Sequence, residues 1–120
     1  MLNVIVVGLG GFVGAICRYL IGLIPIKEVT PFPIKTFLIN IVGCIVIGLI
    51  SVIATKNSSI NPRFLLFLKV GVCGGFTTFS TFALETAELM KNGNSFIALI
   101  YMLGSVIIGA GVIFTIEYVS

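Results

Sequence analysis

Between Gly71 and Thr81 the chain reads GVCGGFTTFST, and seven of these eleven residues are Gly, Ser or Thr. Each Gly lowers helix propensity by about 1 kcal/mol and each Thr by somewhat less, so a helix through this stretch is expected to break near Gly74 to Thr78. A break frees backbone carbonyls and amides that need other partners. Two readings fit it: a kink in which Thr and Ser hydroxyls bond back to carbonyls, or a broken helix of the kind that builds an ion site. Phe76, Phe79 and Phe82 keep helical spacing through the same stretch. A Phe stripe ordinarily meets lipid or core. Here Phe79 and Phe82 alternate with Thr78, Ser80 and Thr81, which puts a polar face beside ring edges whose partial positive charge suits a small anion.

Four more residues have chemistry to offer. Asn40 lies inside an apolar stretch, one turn from Thr36. Its amide either joins helices by a hydrogen bond or replaces lost hydration along a pathway. Arg18 is the one charge between Leu2 and Ile26, and it fits either a pore vestibule or a side chain that snorkels to the interface. Glu85 and Glu88 follow the expected break, with Glu85 on the face of Phe82, where it would line a pore mouth or take up a proton.

The elements that must position these residues follow from composition. Of 120 residues, 58% are hydrophobic and only 9% charged, against about a quarter charged in soluble domains. Four apolar stretches, Leu2 to Ile26, Thr36 to Thr55, Phe64 to Leu84 and Ser95 to Ile116, each reach the roughly 20 residues needed to cross a hydrocarbon core. The expected architecture is one all-α integral-membrane domain over residues 1–120. Its helices run at about 2–25, 35–55, 63–90 and 95–118, the third broken near 74–78 at mid-membrane, with Ser95 as an N-cap. The first stretch reads as a retained helix: no Lys or Arg precedes it, and Ile16 before Cys17 spoils a lipid-attachment site.

Four crossings leave no room for an extramembrane catalytic domain, so any function sits between helices. With no His, Asp or Trp, His-based acid/base chemistry, paired-Asp sites and most metal cages are excluded, and no Walker pattern suggests an ATP-driven pump. Cys17, Cys44 and Cys73 all fall in apolar stretches and read as small buried residues. Gly10 and Gly14 form a GxxxG pair, and Ser105 and Gly109 repeat the spacing, as close helix packing in lipid requires.

Charge placement bears on orientation. The side holding the termini and second loop carries Lys56, Arg63 and Lys69; the other carries Lys27, Lys35 and Lys91. This balance predicts insertion both ways up, with oppositely oriented copies pairing about an axis in the membrane plane.

Three motifs together resemble a known family. Gly10 to Tyr19 (GGFVGAICRY) is similar to a GGxxGAxxRY signature, Thr36 to Asn40 (TFLIN) to TxxxN, and Gly71 to Phe82 to a GxCGGxTTFSTF run. These are the signatures of the small fluoride channels called Fluc or CrcB. They occur in order along the whole chain, so the resemblance covers all of it. It implies an antiparallel homodimer of dual topology with two fluoride pores. By that resemblance Phe79 and Phe82 line the pore, Asn40 contacts the anion pathway and Arg18 is a vestibule cation. Thr81, Glu85, Tyr101 and Ser105 form a polar track, and the Gly74 and Thr77 carbonyls of both subunits hold a structural Na+ at the dimer interface, as four carbonyl dipoles suit a small hard cation.

The expected function is therefore passive, fluoride-selective export across the cytoplasmic membrane, not enzymatic catalysis. The expected partners are fluoride, a second copy of the chain and membrane lipid, with no nucleic acid. The alternative is a proton-coupled exporter of the small multidrug type, which is also short and four-helical. That class needs a Glu in the first helix and usually Trp partners, and this chain has neither.

Overall fold

The structure is a computed structural model that describes residues 1–120. Its helices are α1 (Leu2–Gly22), α2 (Ile34–Lys56), α3 (three abutting pieces, Pro62–Leu66, Phe67–Cys73 and Gly74–Phe76), α4 (Phe79–Lys91) and α5 (Ser95–Tyr118). Counting α3 and α4 as one crossing, four helical spans are long and apolar enough to traverse a membrane, and the chain is a multi-pass membrane protein. At 1.5 Å per residue the 24 residues of α5 extend about 36 Å, beyond the roughly 30 Å of a hydrocarbon core.

Local chemistry sets the helix ends. α1 stops at Gly22, short of the expected 25, because Pro25 disfavours helical geometry in the residue before it. Lys35 Nζ then donates to the Gly22 carbonyl at 2.9 Å, satisfying one orphan of that terminus. α3 starts on Asn61, whose Oδ1 accepts from the Arg63 amide at 2.8 Å ahead of a helical Pro62. The cap of α5 is Asn94 rather than Ser95, which is the first helical residue, and the turn before it uses Gly93 at φ +81°.

The third span breaks within the expected Gly74–Thr78 stretch, at its far end, and by different means. Gly74 keeps helical angles (φ −63°, ψ −37°), whereas Thr77 (φ −80°, ψ 160°) and Thr78 (φ −148°, ψ 120°) are extended. The glycines serve approach between helices instead. A Cβ on Gly75 would lie 2.6 Å from the Gly11 carbonyl oxygen, and one on Gly71 would lie 2.7 Å from the Gly10 Cα. On α1, a Cβ on Gly14 would collide with the Val72 carbonyl oxygen, and one on Gly10 with the Phe67 carbonyl oxygen. Gly10 thus meets Gly71, Gly75 meets the Gly11 backbone, and Gly14 lies against Val72 and Phe76, a close glycine-mediated crossing. Within α3, residues Phe67–Cys73 form a wider π-helical stretch, which no propensity pattern announced.

α2 packs along α5, where a Cβ on Gly109 would meet the Cys44 sulfur at 3.2 Å. The α4–α5 junction holds the apolar cluster of Leu89, Ala98 and Tyr101, flanked by Phe32, Phe37 and Phe82. Only 13 of 120 residues are buried within the chain, so most apolar side chains face lipid or another protein surface. Cys73 is buried and Cys44 half-buried, but Cys17 is exposed, contrary to expectation.

Candidate functional site

The break at Thr77–Thr78 strips backbone groups of helical partners, and neighbouring side chains take some of them. Asn40 on α2 pairs with Thr78 twice: its Nδ2 donates to the Thr78 carbonyl at 3.1 Å, and its Oδ1 accepts from the Thr78 amide at 2.8 Å. Thr78 Oγ1 accepts from the Thr81 amide at 3.2 Å, capping α4. The Thr77 amide and hydroxyl both donate to the Cys73 carbonyl, at 3.0 and 2.9 Å. From α1, Arg18 Nε donates to the Gly75 carbonyl at 3.3 Å. Arg18 therefore turns inward to the break instead of snorkelling.

This arrangement diverts two amides. A continuous helix would send the Thr78 amide to the Gly74 carbonyl and the Thr81 amide to the Thr77 carbonyl. The first goes to Asn40 and the second to Thr78 Oγ1. Close access of α2 to this point depends on Gly43, where a Cβ would collide with the Thr77 methyl.

Two cavities meet at Thr78. A groove of about 330 Å³ is lined by Asn40, Cys44, Cys73, Gly74, Thr77, Phe79, Phe82 and Ser105, among others. No charged side chain lines it. Ser105 Oγ is buried there without any hydrogen-bond partner, a costly arrangement unless something else meets it. Phe82 lies edge-on to Tyr101 at 4.9 Å between ring centroids, while Phe79 is 79% exposed. The second cavity, also about 330 Å³, is lined by Arg18, Lys35, Thr36, Thr78, Thr81 and Glu85, with others. Glu85 accepts on both oxygens, from Thr36 Oγ1 at 3.0 Å and Tyr101 OH at 2.9 Å.

Of the residues singled out in the sequence, Asn40, Phe79, Phe82 and Ser105 share the groove with Gly74 and Thr77, while Arg18, Thr81 and Glu85 share the second cavity. Tyr101 lines neither and is fully buried beneath Glu85. The break separates Phe76 from Phe79, so the three phenylalanines do not form one continuous helical stripe. Sequence reasoning placed Thr36 at the head of a motif and Thr78 in the polar face beside Phe79, but assigned neither a role of its own in the site. The placement of Thr36 one turn before Asn40 was the available signal for the first; nothing in residue type marked the second as the residue common to both cavities.

The CrcB-like family model, described as camphor resistance (CrcB), matches residues 5–116. The chain belongs to the CrcB family. Relatives described as "Fluoride-specific ion channel FluC" include one from Chlorobaculum tepidum, 43% identical over 96% of this chain and 91% of its own. Another, from Prosthecochloris aestuarii, is 43% identical over 88% of this chain and 83% of its own. A third, from Ruminiclostridium cellulolyticum, is 47% identical over 79% and 74%. CrcB membership thus agrees with the resemblance carried by the three motifs, and it spans the helix break and both cavities.

Proposed function

We propose that this chain is a subunit of a fluoride-selective channel that lets fluoride leave the cell passively across the cytoplasmic membrane. The observation that carries this reading is the neutral groove at the break, where the partnerless Ser105 hydroxyl lies with the Asn40 amide and two Phe rings. Fluoride is small and strongly hydrated, so a selective passage must replace its water with close donors. Neutral donors do so without the fixed charge that would hold the ion too tightly to leave. At the start of α4, Phe79 and Ser80 add amides that have no partner within that helix, at its positive dipole end. An inside-negative potential then favours export by about 2.3 kcal/mol per charge per 100 mV. Relatives described as fluoride-specific channels support the same reading. A proton-coupled exporter is disfavoured by the absence of any acidic residue in α1.

The working unit in this proposal is an antiparallel homodimer in lipid, with dual topology. A sodium ion fits its centre. The Gly74 and Thr77 carbonyls, whose helical amides are diverted, are hard oxygen ligands, and a two-fold pair of chains supplies four of them. When bound, the ion would neutralise carbonyl dipoles stranded at mid-membrane. Purified protein in liposomes is expected to release fluoride but retain chloride; equal release of both, or of neither, defeats the channel reading. Thermal unfolding of the dimer is expected to rise with sodium but not with the larger potassium ion, and identical midpoints in the two salts would remove the ion from the account.

A further inference from the structure

Lys69 is a basic residue well inside a membrane span that the proposed pathway leaves unused. It lies seven residues beyond Pro62, roughly 10 Å along the helix axis, inside a span chosen for its apolarity. A cation at this depth is costly unless it has work to do or reaches the interface. It is half-buried, no ion pair holds it, and three of the four glutamates lie toward the opposite side of the membrane.

Its surroundings point toward the groove. Lys69 lies within the π-helical stretch Phe67–Cys73, a widening often found at functional sites. One helical turn on are Cys73 and Gly74, both in the groove wall. Side chains on a helix lean toward its N-terminus, which for α3 is the second-loop side. The groove itself is neutral, and Arg18 lines the cavity joined to it at Thr78, toward the other side.

We propose that Lys69 is an anion-attracting residue at the second-loop mouth of the groove, matching Arg18 at the other end, so that a neutral passage is flanked by one cation on each side. This rests on the reading of the groove as an anion pathway. Lys69 does not coordinate the ion in the narrow part. It raises the local anion concentration at the mouth, an effect that falls off as salt screens it.

The test is the initial rate of fluoride efflux from liposomes carrying the full chain, at subsaturating fluoride, in low and high potassium gluconate. Lys69→Met is expected to slow efflux about 3- to 10-fold in low salt and much less in high salt, with Lys69→Arg close to wild type. Unchanged rates for Lys69→Met in low salt would overturn the proposal. So would equal losses in Lys69→Met and Lys69→Arg accompanied by a lowered thermal midpoint, because packing and not charge would then be the cause. Wild-type protein that passes no fluoride would overturn the channel reading itself, and this role with it.

Discussion

Asn40 and Ser105 face the same groove, yet they stand in opposite relations to the rest of the chain. Asn40 already spends its carbonyl oxygen and one amide hydrogen on Thr78, which leaves one hydrogen for anything passing. Ser105 spends nothing. Their substitutions should separate accordingly. Asn40→Leu removes both bonds and leaves the Thr78 amide and carbonyl unpaired in an apolar region, so it is expected to lower unfolding stability by about 2–4 kcal/mol as well as flux. Ser105→Ala should leave stability within about 0.5 kcal/mol of wild type while still slowing fluoride efflux. A thermal midpoint that falls as far for Ser105→Ala as for Asn40→Leu would show that the serine hydroxyl has a structural partner after all.

At the scale of elements, glycine decides which helices can touch. Gly8 and Gly11 have open space where a Cβ would be built, whereas Gly14 and Gly75 would drive one into backbone atoms of the facing helix. Gly14→Ala and Gly75→Ala are therefore expected to cost several kcal/mol and to reduce recovery of folded protein, and Gly8→Ala to be neutral or slightly stabilising in a helix. Size-exclusion profiles and thermal midpoints check the contrast. The sequence made the four spans legible because lipid demands long apolar runs, and the density of Gly and Thr announced an interruption in the third. It did not reveal how the labour is divided within GVCGGFTTFST. Helix propensity charges glycine for the break, but the helix continues through Gly74, and Thr77 and Thr78 carry the extended angles because Asn40 bonds the Thr78 backbone from another helix. That pairing is tertiary, so no local window contains it. The π-helical stretch was illegible for a related reason: its residues, FLKVGVC, do not by type favour a wide turn over an ordinary one.

Across the whole molecule the chain divides into two packed pairs, α1 with α3 and α2 with α5, which meet where the third span breaks. Asn40 from one pair and Arg18 from the other both bond the broken segment. The site thus sits at the seam between halves, and no single element contains it. Groove residues come from α2, α3, α4 and α5, so the groove forms only when the second, third and fourth spans have assembled.

The exposure of Phe79 has a genetic consequence. Phe82 is half-buried and leans on Tyr101, but the Phe79 ring is 79% exposed and stands largely clear of its own chain. Phe79 and Phe82 of one chain share a groove, but if the exposed Phe79 ring closes against a second subunit's groove and not its own, one conduit draws its two phenylalanines from different copies. Phe79→Ile and Phe82→Ile chains, each expected to be inactive alone, would then complement one another. A mixed dimer would contain one conduit with both defects and one with neither, and random pairing of equal amounts would restore about a quarter of wild-type flux. Complete silence from the mixture would instead assign both rings of a conduit to a single chain.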